Sequence, residues 1–344
     1  MPSIVHSFLR GLLAPERGLR ILLPVLATAI LVVLPGISAA QGDAAWENPA
    51  LAISTFAQST FYQGFSFPRG VAVDKGGNVY VADYGNNRIV RVAASGKSSS
   101  IDAIIDSPGA IAIGATGKIY FSGFGTVVWA FKGYDESYSG YGVFSAEPGA
   151  APQFADAYAA NNNCPDKSFT IARTYVCPYR HYGAAINGLA LSGGEDEFKN
   201  PWFFASLSSG DLKVASASPS PTYDTNLLEY FAPNFSPRGI AFDIAGNFYV
   251  VDGTFYQVWK VTPGGVWSKV GSGYNRPEGV AVDSAGNVFV ADFGNNRVVE
   301  VSAAGMQTAF GTGLSGPTGV AVFKGAKEQI FVTDSGNNRV VEFE

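Results

Sequence analysis

Histidine, cysteine and methionine are almost missing from this chain of 344 residues, which holds two of each. Only His181 lies beyond the first 40 residues. A histidine-rich zinc or iron centre is therefore excluded. Serine–histidine–aspartate catalysis would have to use that single imidazole, and no nucleophile-elbow motif supports it. The two cysteines, Cys164 and Cys177, have no neighbouring pair and make a poor metal site. Charged residues are only 15% of the chain, no long Lys/Arg cluster occurs, and the net charge is −5. Nucleic-acid binding needs phosphate-neutralising cations and is disfavoured. No glycine-rich stretch resembles a phosphate loop. What remains is a 47% hydrophobic chain with 41 glycines and 13% aromatic residues, the composition of a turn-rich β protein with a sizeable core.

The N-terminus reads as an export signal. Arg10, Arg17 and Arg20 precede the apolar run Ile21–Leu34, followed by Ser38 and Ala40 at the small-residue positions before a cut at Gln41. The run is short for a spanning helix and contains Pro24. Residues 1–40 are thus expected to be a signal peptide and the mature protein to be secreted or periplasmic, without stable membrane insertion once the signal is cleaved; an uncleaved anchor is the alternative. In an exported chain, Cys164 and Cys177 suit a disulfide, contributing about 3 kcal/mol to holding a short loop. Two reduced thiols are the alternative.

The phrase VADYGNNRIV at 81–90 returns as VADFGNNRVV at 290–299 and VTDSGNNRVV at 332–341. A catalytic motif usually appears once, whereas a phrase at a regular interval marks a stacked unit. The full unit, FPRGVAVDKGGNVYVADYGNNRIVRV (67–92), has copies beginning near 107, 187, 236, 276 and 316. Aligned on the first glycine they start at Gly70, Ala110, Gly188, Gly239, Gly279 and Gly319, and Ala72, Ala112, Ala190, Ala241, Ala281 and Ala321 fill one position six times. Several intervals are 40 residues (Gly239 to Gly279 to Gly319), which accommodates four short strands. Asp74, Asp243 and Asp283 with Gly77, Gly246 and Gly286 carry turn chemistry between the first two strands. Asn-Asn suits a tight turn needing φ > 0. Asp83, Asp292 and Asp334 end one strand and Arg88, Arg297 and Arg339 begin the next, so each pair is placed to bond across its own turn. These six residues are read as scaffold.

On these residues the chain resembles the NHL-repeat family. The resemblance covers about residues 51–344 and implies an all-β fold, a six-bladed β-propeller formed as a single domain over 41–344. The last copy ends after three strands, and LAISTFA (51–57) is similar to the outer strand MQTAF (306–310). Residues 51–57 are therefore expected to complete the last blade against Arg339–Phe343.

A stretch at about 147–186 lacks the repeat pattern and is read as an inserted loop. It would follow VFSA (143–146) as the outer strand of the second blade, or contain that strand at 169–176. Long loops in compact domains are usually functional or disordered. Tyr158, Tyr175, Tyr179 and Tyr182 offer rigid contact area, and Arg173 and Arg180 add positive charge to an acidic protein. These six residues are the expected ligand-binding set, at a surface shared with the adjoining channel mouth; packing onto the blades is the bland alternative. The resemblance implies an exported interaction platform for a protein, peptide or cell-envelope glycan, with no catalytic residues, metal or cofactor. Peptide-amidating lyases of this propeller type need histidine ligands that are missing. The alternative is a metal-dependent hydrolase or lyase of the lactonase-like propeller class, with Ca²⁺ on second-strand aspartates at the axis.

Overall fold

The computed structural model describes residues 52–53, 56–101, 105–131, 134–146, 153–156, 186–195, 201–207, 212–216, 225–226 and 235–344. Their strands assemble into six sheets. The first is Pro68–Val73, Val79–Asp83, Arg88–Val92 and Ser98–Ile101. The fourth is Pro237–Phe242, Phe248–Asp252, Gln257–Val261 and Trp267–Val270. The fifth, Pro277–Val282 to Gln307–Phe310, and the sixth, Pro317–Lys324 to Arg339–Phe343, repeat this antiparallel order. The third runs from Ile186–Glu195 to Thr225–Asn226. Among the described residues no helix is long and apolar enough to cross a membrane.

Burial explains the runs of apolar residues in the second strands. Val79–Asp83, Phe248–Asp252 and Val288–Asp292 are buried at every position, because each sheet is covered on both faces by its neighbours. Val251 and Val258 of the fourth sheet share a core with Val280 and Val290 of the fifth. Phe289 and Val298 of the fifth meet Val332 and Val341 of the sixth. Phe331 and Val340 of the sixth meet Val71 and Val81 of the first, and Tyr80 and Ile89 meet Ile119 and Phe121 of the second. Each fully buried side chain of this size contributes about 1.5–3 kcal/mol.

The first strands of the sheets stand side by side around an axis. Their closest approach is made by glycine. A Cβ on Gly239 would overlap the carbonyl of Glu278, one on Gly279 that of Thr318, and one on Gly319 that of Arg69. The repeated alanines, such as Ala241 and Ala281, pack against the cores between sheets. Gly279→Ala is therefore expected to destabilise the protein by about 1–3 kcal/mol, the usual cost of overpacking. A thermal melt checks it, and an unchanged midpoint would mean that the ring tolerates expansion at its axis.

The structure corrects the fold expectation in two respects. First, it shows five blades built on the repeat plan, not six. The second sheet departs from the plan: Ile105–Asp106 and Ile111–Ile113 both pair with one 13-residue strand, Ile119–Phe131, which pairs in turn with the 13-residue Tyr134–Ala146. The cause is local. Where the first, fifth and sixth copies write Asp-x-Gly-Asn-Asn-Arg, this one writes Gly123-Phe124-Gly125-Thr126, without the aspartate and asparagines of that turn, and the strand runs on. VFSA consequently lies in the third strand of this sheet, opposite Ile119–Ser122, and the outermost strand is Gln153–Asp156. Second, the described part of 51–57 does not form the outer strand against Arg339–Phe343; only Ala57 reaches that end of the chain, exchanging backbone hydrogen bonds with Glu344. Ala52–Ile53 runs parallel to Gln307–Phe310 on the outside of the fifth sheet. Gln58–Gln63 is the segment that completes the sixth sheet, antiparallel to Arg339–Phe343. Packing decides the register: Phe61 meets Phe331 at 4.9 Å and Phe56 meets Phe310 at 4.8 Å.

Candidate functional site at the channel mouth

One end of the axis is where the first strands begin and the second strands end, since Pro68 pairs with Asp83 and Pro277 with Asp292. The repeated Asp-x-Gly-Asn-Asn-Arg phrase lies on this face. Asp83 accepts from the Ser66 amide at 2.7 Å, from Arg88 Nε at 2.7 Å and from Asn86 Nδ2 at 2.9 Å. Asp292 does the same with the Asn275 amide, Arg297 and Asn295, and Asp334 with the Ser315 amide, Arg339 and Asn337. The second asparagine of each phrase is left-handed, with φ of 53° to 54°. Its side-chain oxygen accepts an amide from the following sheet: Asn87 from Ser107, Asn296 from Gly316 and Asn338 from Phe67, each at 2.8 Å. The phrase therefore latches consecutive blades to one another.

Inside this rim of latches is a cavity of about 320 Å³. It is lined by the residue immediately before the aligned glycine position of each copy: Arg69, Gly109, Asn187, Arg238, Glu278 and Thr318. In most copies it is flanked by a repeated Pro and Gly, while the residue itself changes from copy to copy. Arg276 and Phe293 complete the wall.

The residue after each strand-ending aspartate shapes how these side chains stand. Tyr84 is the shelf for Arg69, whose guanidinium carbon lies 3.8 Å from the ring centroid. Phe293 is the shelf for Arg276 at 4.8 Å. Gly253 occupies the same place in the fourth sheet, and a Cβ there would strike Arg238 Nε and Cγ. Ser335 occupies it in the sixth. Its hydroxyl bonds Thr318 Oγ1 at 2.6 Å, and Thr318 Oγ1 lies 3.0 Å from Thr333 Oγ1 and 3.1 Å from the Arg69 carbonyl. These hydroxyls fix the backbone that carries Arg69.

Arg238 Nη1 reaches both oxygens of Glu278, at 3.2 and 3.3 Å. Burial pushes the Glu278 carboxyl above its ordinary range, against the opposing pull of Arg238, Arg276 and Arg69. A folded-state pKa above the unfolded value means that the charged form opposes folding. Stability is fullest below the ordinary glutamate range and falls as pH rises through the folded pKa. Glu278→Gln is accordingly expected to melt no lower than the parent at pH 7. A clear drop in midpoint would show that the ion pair with Arg238 outweighs the cost of burial.

The expected ligand-binding residues Tyr158, Arg173, Tyr175, Tyr179, Arg180 and Tyr182 lie outside the described residues, as do Cys164, Cys177 and the segment 1–40. Ile186, where the described residues resume, lines the cavity. Sequence reasoning overlooked Arg69, Asn187, Arg238, Glu278 and Thr318. Their signal was available: a single variable position between repeated Pro and Gly. Among the described residues no three His, Cys, Asp or Glu side chains converge on a metal-sized site.

Fold and site together define a β-propeller whose variable residues meet at one end of its axis. The NHL repeat family model matches residues 65–92 and 274–300, so the chain carries NHL repeats within its propeller. No curated protein sequence matches it. Solved propellers do. Virginiamycin B lyase from Staphylococcus aureus is 13% identical, with a TM-score of 0.53, covering 84% of this chain and 98% of its own. A gluconolactonase from Xanthomonas campestris is 12% identical, with a TM-score of 0.54, over 86% and 91%. The calcium-binding protein regucalcin from Agrobacterium tumefaciens is 13% identical, with a TM-score of 0.58, over 85% and 94%. At these identities the likeness is one of fold.

Proposed function

We propose that this protein is an exported binding propeller that captures an anionic group of its ligand at the channel mouth. The observation that carries the reading is the convergence of Arg69, Arg238 and Arg276 on one cavity with a single acidic side chain, Glu278, in a chain whose net charge is −5. Guanidinium groups recognise carboxylate and phosphate in a planar, two-pronged geometry. Shelving Arg69 and Arg276 on aromatic rings limits the side-chain entropy lost on binding. Ile186, the first described residue after the unrepeated stretch, lines this mouth, which supports counting Tyr158, Arg173, Tyr175, Tyr179, Arg180 and Tyr182 as further candidates for ligand contact.

The lactonase-like alternative would place a divalent cation at the axis. Three guanidinium groups repel such an ion, and the strand-ending aspartates Asp83, Asp292 and Asp334 are engaged with arginine and amide donors. The binding reading is therefore preferred.

The test is retention of the full chain on arrays of acidic glycans and acidic peptides, beside Arg69→Ala and Arg276→Ala. Both arginines are exposed, so each variant should fold. Loss of retention by about tenfold or more is expected, as when one partner of a charge-assisted contact is truncated. Equal retention by both variants would move the binding surface elsewhere.

A further inference from the structure

Resting on the reading of the mouth as an anion site, we propose that Phe255 and Tyr256 form a docking edge beside it for a protein partner. The part they fit is an acidic segment that carries an aromatic or long aliphatic side chain next to its carboxylates. The fourth sheet supplies the observation. After Asp252 its turn reads Gly253-Thr254-Phe255-Tyr256-Gln257, where the fifth sheet reads Phe293-Gly294-Asn295-Asn296-Arg297. Two aromatic residues thus replace the two asparagines. Gln257 takes the arginine position and turns inward, to the carbonyls of Val258 and Gly271 at 3.1 and 3.2 Å. Phe255 is left 62% exposed and Tyr256 41%.

This exchange costs the fold twice. Tyr256 keeps the left-handed backbone of the asparagine it replaces, with φ of 52°. Asparagine tolerates that conformation, whereas a bulky side chain holds it under strain. The latch is lost as well. Phe67, Ser107 and Gly316 each give their amide to the asparagine of the preceding sheet. Arg276 stands at the same position, with φ of 49°, but the residue across its seam is Tyr256, which has no carboxamide to offer. Large apolar side chains held in solvent at a cost to stability are what a binding surface requires.

Charge and polarity then select the partner. Arg276, on its shelf of Phe293, borders both this seam and the cavity. In the wall Arg238 and Glu278 satisfy each other, and Asn187 is turned to the Pro237 carbonyl. The cations presented to a partner are therefore Arg276 and Arg69, both exposed and each held against a ring. They select a carboxylate. Phe255 selects what stands beside it. Its ring has no polar atom, so a sugar laid on it would desolvate hydroxyls without giving them a partner. An apolar side chain gains from the same burial. Exposed Phe, Tyr and Arg side by side are also the residues in which protein interfaces are enriched.

The experiment is retention of the full chain on an array of capped octapeptides. Each holds a Glu-Glu pair, with every residue combination at the two positions before or after it. A matching Gln-Gln array and immobilised trigalacturonate stand beside it. Peptides with aromatic or long aliphatic flanks are expected to retain the protein about tenfold or more above those with Ser or Gly flanks, the worth of burying one large side chain. The decisive variant combines Phe255→Asn with Tyr256→Asn, which writes the asparagines of the repeat back into the turn. It should lose the preference for apolar flanks, keep the preference for Glu over Gln, and melt at a higher temperature than the parent. A rise in midpoint together with a loss of selectivity is a result that damage to the fold cannot mimic. Equal retention of apolar and polar flanks by the parent would overturn the proposal, as would a lower midpoint for the double variant. Trigalacturonate retained above every peptide would assign the edge to a glycan, and a dimer in analytical ultracentrifugation that the double variant dissolves would assign it to a second copy; either overturns the proposal. Equal retention on the Gln-Gln and Glu-Glu arrays would overturn the anion site itself.

Discussion

Removal of residues 41–63 is expected to abolish cooperative folding. Gln58–Gln63 is the outer strand of the sixth sheet, whose other three strands come from the opposite end of the chain. Ala57 and Glu344 exchange backbone hydrogen bonds at 2.9 and 3.1 Å. Gln58 adds a bond to the Thr312 carbonyl at 2.8 Å. Phe56 packs on the core between the fifth and sixth sheets, and Phe61 and Tyr62 on the core between the sixth and first. Losing these contacts forfeits several side chains' worth of burial, each about 1.5–3 kcal/mol when complete, against a total stability of about 5–15 kcal/mol for a typical domain. It also bares the Arg339–Phe343 edge for pairing with other chains. The expected outcome is aggregation on size-exclusion chromatography and no sharp melt by circular dichroism. A truncated protein that melts like the parent would show that the ring closes without its N-terminal strand.

Asp292→Ala is expected to cost about 3–5 kcal/mol, the range for removing one partner of a buried pair. Asp292 is 0% exposed, and three donors depend on it: Arg297 Nε at 2.8 Å, Asn295 Nδ2 at 2.8 Å and the Asn275 amide at 2.7 Å. Arg297 Nε and the Asn275 amide lose their acceptor, and Asn295 Nδ2 keeps only the Gly273 carbonyl at 3.2 Å. The Asn275 amide sits in the lead-in to Pro277 and Glu278, so the damage reaches the backbone that carries the channel wall. Arg297→Ala should cost less, about 1–3 kcal/mol, because Arg297 is partly exposed and its removal leaves Asp292 two donors. Ligand capture at the mouth should survive Arg297→Ala in the folded fraction. Urea unfolding of both variants checks the order. An Asp292→Ala midpoint equal to the parent's would mean that water replaces the carboxylate without loss.

The scaffold was open to sequence reading because its chemistry is local. Asp83 reaches Arg88 and Asn86 within one turn, and VYVAD is an apolar, β-prone run buried along its whole length, so a copy of either phrase announces itself wherever it stands. The same locality misled at two points. Residues 51–57 look like an outer strand, and Ala52–Ile53 lies beside one, yet the segment that docks on Arg339–Phe343 is the next, where Phe61 finds Phe331. The second copy keeps enough apolar pattern to be aligned, but without the turn aspartate and asparagines its hairpin grows to 13-residue strands. Neither outcome follows from pattern alone, because each depends on which partner lies across the gap.

By itself the sequence determined the all-β class, the NHL repeat, the pairing of Asp83 with Arg88, Asp292 with Arg297 and Asp334 with Arg339 across their own turns, and the scarcity of histidine and cysteine. All of these rest on short-range spacing and composition. Only the tertiary structure decided that Arg69, Arg238 and Glu278 share one cavity. Arg69 and Arg238 stand 169 positions apart in the chain, and no interaction between neighbours in sequence encodes their meeting. Closing the ring brings the first strands to a common axis, where glycine carbon against carbonyl sets the spacing and the variable residue of every copy is turned toward the same mouth.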